Sequence, residues 1–261
     1  MRIITSLTDQ PADRPVLSEI GRLATGFTDQ GQNGVEFPRS TDYFVVRSEF
    51  AEPFNQLLGE KPASLSILFI SDDPNFSCNE RLEIRDHKGN LFAYGDGFTF
   101  YFFDVDLKTY SKVCTVEKHP EIMNQTVTHL RKGLVHNKAN TIKWQDVLYL
   151  RFMIRDFPVL GYWQYVTHAK RTTIPALRDT FDGCLKTFGT VIKIPFLLRV
   201  KKVKSNNPGD CVQFPVVQLL PMISMEEGYR LSGRPSPILP ELEEPSVPLL
   251  ESPHSESVQA V

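Results

Sequence analysis

The chain has 261 residues, 41% hydrophobic and 23% charged, enough apolar side chain to bury a core without disulfide or metal staples. Its net charge of −2 is unevenly spread: residues 235–261 hold five Glu and no Lys or Arg, so the other 234 residues carry +3 without them. A body so weakly basic does not by itself imply nucleic-acid binding, which usually shows a concentrated cationic face, and no apolar run approaches the ~20 residues that span a bilayer.

The opening stretch, MRIITSLTDQPADRP, has neither a sustained apolar core nor a small-residue cleavage site, so no secretory signal is expected and the cytoplasm is the expected location. Cys78, Cys114, Cys184 and Cys211 are widely spaced without a CxxC. They are expected to be reduced and mostly buried.

In chain order, residues 42–47 (DYFVVR), 65–71 (LSILFIS), 81–86 (RLEIRD), 91–96 (LFAYGD) and 98–103 (FTFYFF) are short, rich in β-branched and aromatic residues, and bounded by turn formers. They predict an antiparallel meander. Its clearest piece is a hairpin over residues 81–94, where Leu82 and Ile84 alternate with charged neighbours and HKGN supplies the turn. A helix is predicted where Ile122, Met123, Val127, Leu130 and Leu134 follow Pro120, and another where Ile174, Leu177, Phe181, Leu185 and Phe188 recur between Thr173 and Gly189. For the second helix, Thr172 or Thr173 is the expected N-cap, Pro175 sits in the first turn, and Gly189 is the expected left-handed C-cap. Residues 190–203 and 212–221 then read as two long strands, with Pro195 and Pro215 placing both near an edge or a bulge.

The expected fold class is α+β, mainly antiparallel β with about two helices. Residues 1–228 form the globular body, as one domain or as two β-rich lobes (about 16–105 and 143–225) joined by a partly helical segment. Residues 229–261 form an acidic, Pro/Glu-rich tail, expected to be disordered: its last 27 residues hold six Pro, and its sparse apolar residues do not offset the entropy of ordering.

No catalytic residue can be nominated. There is no GxSxG, GxxxxGK[ST] or GxGxxG, and YGDGF has two Gly with no helix behind them to cradle phosphate. Asp72 and Asp73 in SDDPN suit a turn better than a cation site. Cys114, His119, His129 and His136 lie within 23 residues, but on a helix the seven-residue gap between His129 and His136 separates them by roughly 10 Å. No metal and no other cofactor is expected. The cationic segment LRVKKVKS offers Arg199, Lys201, Lys202 and Lys204 as partner-binding residues. Strand alternation sends the first two to one side and the last two to the other.

The succession IGRLATG, FPRSTDYFVV, EKPASLSILFISDDPN, DHKGNLFAYGDG, LRFMIRD, GYWQYVTHAKRTTIPALRDTF, IPFLLRVKKVK and FPVVQLLP resembles the phage recombination directionality factors that work with large serine integrases, over about residues 16 to 225. In that resemblance Pro38, Asp42, Tyr43 and Phe44 mark a strand entrance, and Gly95, Asp96 and Gly97 the turn after the hairpin. Relatives are often labelled hydrolase or metal-binding and carry a cysteine cluster after the position of Gly97, where this chain keeps only Cys114, with His119 nearby. The resemblance implies a protein without enzymatic activity, with no small-molecule substrate and no membrane partner. Such a protein binds a large serine integrase, meets attachment-site DNA only through it, and shifts recombination toward excision. A DNA-binding replication or recombination accessory protein is the alternative, and a metal-dependent hydrolase a more distant one.

Overall fold

The computed structural model describes residues 17–30, 36–85, 89–104, 106–118, 144–205 and 213–235. Eleven strands dominate these residues: β1 (Glu19–Gln30), β2 (Glu36–Arg47), β3 (Ser64–Leu68), β4 (Cys78–Arg85), β5 (Leu91–Gly95), β6 (Thr99–Asp104), β7 (Thr109–Thr115), β8 (Gln145–Ile154), β9 (Tyr162–Thr167), β10 (Pro195–Lys204) and β11 (Gln213–Pro221). Four helices accompany them: α1 (Ala51–Leu58), α2 (Pro74–Ser77), α3 (Thr173–Phe188) and α4 (Met225–Ser232). The fold is therefore α+β, with more helices than the two expected. The expected helix over residues 122–134 and the acidic residues beyond Pro235 lie outside the described residues.

All eleven strands join one sheet. Its main path runs β11-β10-β3-β8-β4-β5-β6-β7, and a branch leaves β8 through β9 to β1 and β2. Every ladder is antiparallel except β1 with β9. Strand β8 is the hub, pairing with β3, β4 and β9. The strands of the two expected lobes, β1–β6 and β8–β11, thus interleave in one sheet, with β3 seated between β10 and β8. The branch curls back onto the far strands: the Phe44 N–H donates to the Pro62 carbonyl at 2.9 Å, and the Val200 N–H to that of Ala63 at 2.8 Å.

Local chemistry explains most elements. Helix α3 buries Ile174, Leu177, Phe181, Cys184 and Phe188 along one stripe and ends at Gly189 in the left-handed region, φ 78°. Its start departs from expectation. Thr172 makes no capping bond, and the Thr173 hydroxyl instead accepts the Val217 N–H at 3.3 Å, tying the helix to β11. Helix α4 crosses residue 228, where the sequence reading ended the body. Ser224 accepts the Glu227 N–H, and Gly228 packs on the Phe188 ring. The principal core gathers Phe44, Phe54, Phe152, Trp163, Phe181 and Phe196 between the sheet and α1 and α3. A second cluster of Ile84, Phe92, Ala93, Phe100 and Phe102 packs with Trp144 under the β4–β7 meander.

Two edge assignments are corrected. Strand β2 begins at Glu36, so Pro38 lies inside the strand, opposite Thr28, and Asp42 is not its entrance. That position tolerates proline because, among the described residues, β2 has a ladder partner only in β1. Strand β10 is interior, with Pro195 as its first residue, while β11 with Pro215 is the outer strand.

Candidate functional site

Period-two alternation sends one side chain of each pair away from the core, and on β4 that set is Arg81, Glu83 and Arg85. Glu83, although charged and on the side opposite Ile84, is 1% exposed. Its Oε1 accepts from Arg81 Nε at 2.7 Å and from the Tyr149 hydroxyl at 2.6 Å, and its Oε2 from Arg85 Nε at 2.8 Å. Arg85 also donates to the Tyr149 oxygen at 2.9 Å. Burial alone raises the Glu83 pKa, but the Tyr149 hydrogen bond and the Arg81 and Arg85 charges outweigh it and hold it below the ordinary carboxylate value.

The same face continues across β8, β9, β1 and β2. Arg151 of β8 donates to Gln164 at 3.0 Å and to the Phe76 carbonyl at 2.9 Å, and burial lowers its pKa. The register places Gln164 opposite Arg151 and beside Arg22, and Arg22 directly opposite Arg47. Arg22, Arg47, Arg85, Tyr149, Gln164 and His168 line an open cleft of about 390 Å³. Aromatic rings support the guanidiniums: Arg81 sits 4.9 Å from the Tyr94 centroid and 4.6 Å from that of Tyr149, which Arg151 also approaches at 5.7 Å. Tyr94 stacks in turn on Tyr101 at 5.1 Å.

This face can recognise anions through several fixed guanidiniums. It is poorly suited to proton transfer, because both oxygens of its buried carboxylate are already engaged.

A family model described as Gp3-like, recombination directionality factor-like, matches residues 20–222. The chain belongs to that family. The match runs from β1 to the end of β11 and assigns a recombination accessory role, which implies interaction with a recombinase. No curated protein and no solved structure matches the chain.

The residues singled out for partner binding do not form one patch. Arg199 is half-buried and donates to Gln218 at 3.1 Å, while Lys201 and Lys204 are exposed. Lys202 follows the parity of the buried Phe196, Leu198 and Val200 and meets Asp42 of β2 at 2.8 Å, which lowers the Asp42 pKa. That ion pair joins the cationic strand to the family-motif residues. Phe44 is fully buried and meets the Tyr165 ring edge-on at 6.1 Å, and Tyr43 lies under Lys61 at 5.7 Å. Pro38 stays at the exposed end of β2.

Gly95, Asp96 and Gly97 form the turn between β5 and β6. Asp96 Oδ1 accepts the N–H groups of Phe98 and Thr99 at 2.8 and 2.7 Å, and Gly97 takes φ +97°. The turn is structural. So is Asp72, whose Oδ1 accepts from Thr190 and from the N–H groups of Val191 and Ile192. Cys114 lies partly buried on β7, while His119, His129 and His136 fall outside the described residues. Among the described residues no three potential metal ligands gather, and no helix is long and apolar enough to cross a membrane.

Sequence reasoning missed Glu83, Tyr149, Arg151, Arg22 and Arg47. One signal was present: RLEIR puts Arg81, Glu83 and Arg85 on the same side of a strand.

Proposed function

We propose that this chain is a phage or prophage accessory protein that binds a large serine integrase and shifts site-specific recombination toward excision. The observation that carries the reading is the family match over residues 20–222. It acts in the cytoplasm, touches attachment-site DNA through the integrase, and performs no chemistry of its own. The saturated Glu83 carboxylate supports a binding role, since its lone pairs serve arginines and a tyrosine rather than a substrate.

Such a switch needs only unequal affinity for two integrase states. Moving an equilibrium from 1:99 to 99:1 takes a preference of about 10⁴-fold, or about 5.5 kcal/mol, well within one protein interface. The direct test is co-sedimentation of the purified chain with the large serine integrase encoded by the same element, with and without attachment-site DNA. A complex that forms without DNA supports the reading. A chain that sediments alone, and binds attachment-site DNA by itself in a salt-sensitive manner, favours the DNA-binding alternative.

A further inference from the structure

The ladder between β1 and β2 sets two cations side by side. Arg22 and Arg47 are direct cross-strand partners on the face that forms the cleft, with Arg85 also in its lining. Like charges in that position are destabilising. Glu19 relieves Arg22 at 2.6 Å and Glu83 holds Arg85, but among the described residues Arg47 has no ion pair. Arg47 is exposed, so its charge is left to solvent, and an incoming anion meets a guanidinium that no carboxylate among the described residues yet holds.

We infer that the cleft bounded by Arg22, Arg47 and Arg85 is the docking site for a carboxylate-rich segment of a protein partner. Gln164, His168 and the Tyr149 edge stand beside the guanidiniums in the lining. Ala24 and Val166, both half-buried, also line it, so aliphatic groups next to the acids have a surface to meet. Guanidinium forks match carboxylates in a bidentate geometry, which favours this chemistry over diffuse attraction.

Nucleic acid fits less well, for two reasons. Single strands are held by bases stacking on free aromatic faces, but here Tyr94 is flanked by Arg81 and Tyr101, and Tyr149 by Arg81 and Arg151. Duplex binding draws on many phosphate contacts, whereas the surrounding arginines are partly neutralised by Glu19 and Glu83.

The identification of the partner as the integrase rests on the proposed function; the ligand chemistry is read from the cleft. The test uses the full chain, a fluorescent blocked octaglutamate peptide, an oligothymidylate strand and the integrase, with fluorescence polarisation for the first two. Arg22→Glu with Arg47→Glu is the test variant. Arg155→Glu, an exposed arginine paired to Asp156, is the control, and circular dichroism checks the fold of each.

The inference predicts octaglutamate binding that the double variant weakens by at least about tenfold while the control retains it, with a matching loss of integrase binding. Equal binding by the double variant, no octaglutamate binding, or a preference for oligothymidylate overturns it. If the wild-type chain binds the integrase and the double variant binds it equally, the docking site is wrong and the proposed function stands. If octaglutamate binds in an arginine-dependent way but the integrase does not bind at all, the cleft stands and the proposed function fails.

Discussion

The Tyr149 hydroxyl donates to Glu83 Oε1 at 2.6 Å across the β4–β8 ladder, closing a network in which Arg81 and Arg85 neutralise a carboxylate that is 1% exposed. Removing one member of a buried charge network leaves the others uncompensated. Glu83→Ala is expected to cost about 3 kcal/mol, the lower end of the range because both arginines retain some exposure. That corresponds to a fall of roughly 6–12 °C in Tm for a chain of this size. Glu83→Gln, which keeps the shape, should cost less. Thermal denaturation of both variants measures the difference.

The same carboxylate sets an acid limit. Its folded pKa lies below its unfolded value, so its stabilisation is fully present above the unfolded pKa of about 4.3 and is lost as pH falls through the folded pKa. Wild-type stability should drop on acidification below about pH 4.3, and Glu83→Gln should show a shallower fall over that window. Urea midpoints collected from neutral pH downward test it; parallel curves for the two proteins would remove Glu83 from the explanation.

Gly21 and Trp163 are register partners between β1 and β9, and a Cβ at residue 21 would collide with the Trp163 ring and the Ser48 side chain. Trp163 is fully buried against Phe54 and Phe157 and cannot retreat. Gly21→Ala is expected to cost about 2 kcal/mol, or roughly 4–8 °C in Tm, although alanine is otherwise a mild change.

Asp72 fastens the segment after β3 to the loop between α3 and β10 by accepting from Thr190, Val191 and Ile192. Asp72→Ala removes the acceptor of the Thr190 hydroxyl and the Val191 N–H, while Ile192 keeps its bond to the Thr190 oxygen, and should cost about 1–3 kcal/mol. Asp72→Asn keeps an acceptor oxygen and should retain most of the stability. A metal ligand would behave differently, since its loss would make the protein indifferent to chelators; here the melting curve of wild type, and separately that of the variant, should be unchanged by EDTA.

Cys78 and Cys184 are buried, and burial raises both thiol pKa values. Brief alkylation of the native protein at pH 8 followed by peptide mapping should leave these two unmodified, with both reacting once the chain is unfolded in guanidinium.

Much of the fold was legible where the decisive contacts are local. The β4–β5 hairpin, the stripe and Gly189 cap of α3, and the strands β10 and β11 follow from periodicity and turn chemistry over short windows. Strand β1 was harder, because Gly21, Arg22 and Gly26 interrupt its pattern and its pairing with β9 lies about 140 residues away in sequence. Strand β8 lacks simple alternation because it is a central hub covered on both sides. The site was mostly illegible for the same reason. Alternation indicates that Glu83 opposes Ile84, but only the pairing of β4 with β8 brings Tyr149 over it, and only the β1–β2 register sets Arg22 against Arg47. The Arg199–Lys204 segment drew attention because its charges are adjacent in sequence; folding separates them.

The central claim is that this chain directs a serine integrase, and a recombination assay addresses it most directly. Purified integrase is supplied with attL × attR and, separately, attP × attB substrates, with and without the chain. The account predicts that the chain starts attL × attR recombination and suppresses attP × attB, and that the Arg22→Glu, Arg47→Glu variant does neither while remaining folded. Unchanged recombination of both substrate pairs at saturating wild-type chain would contradict it.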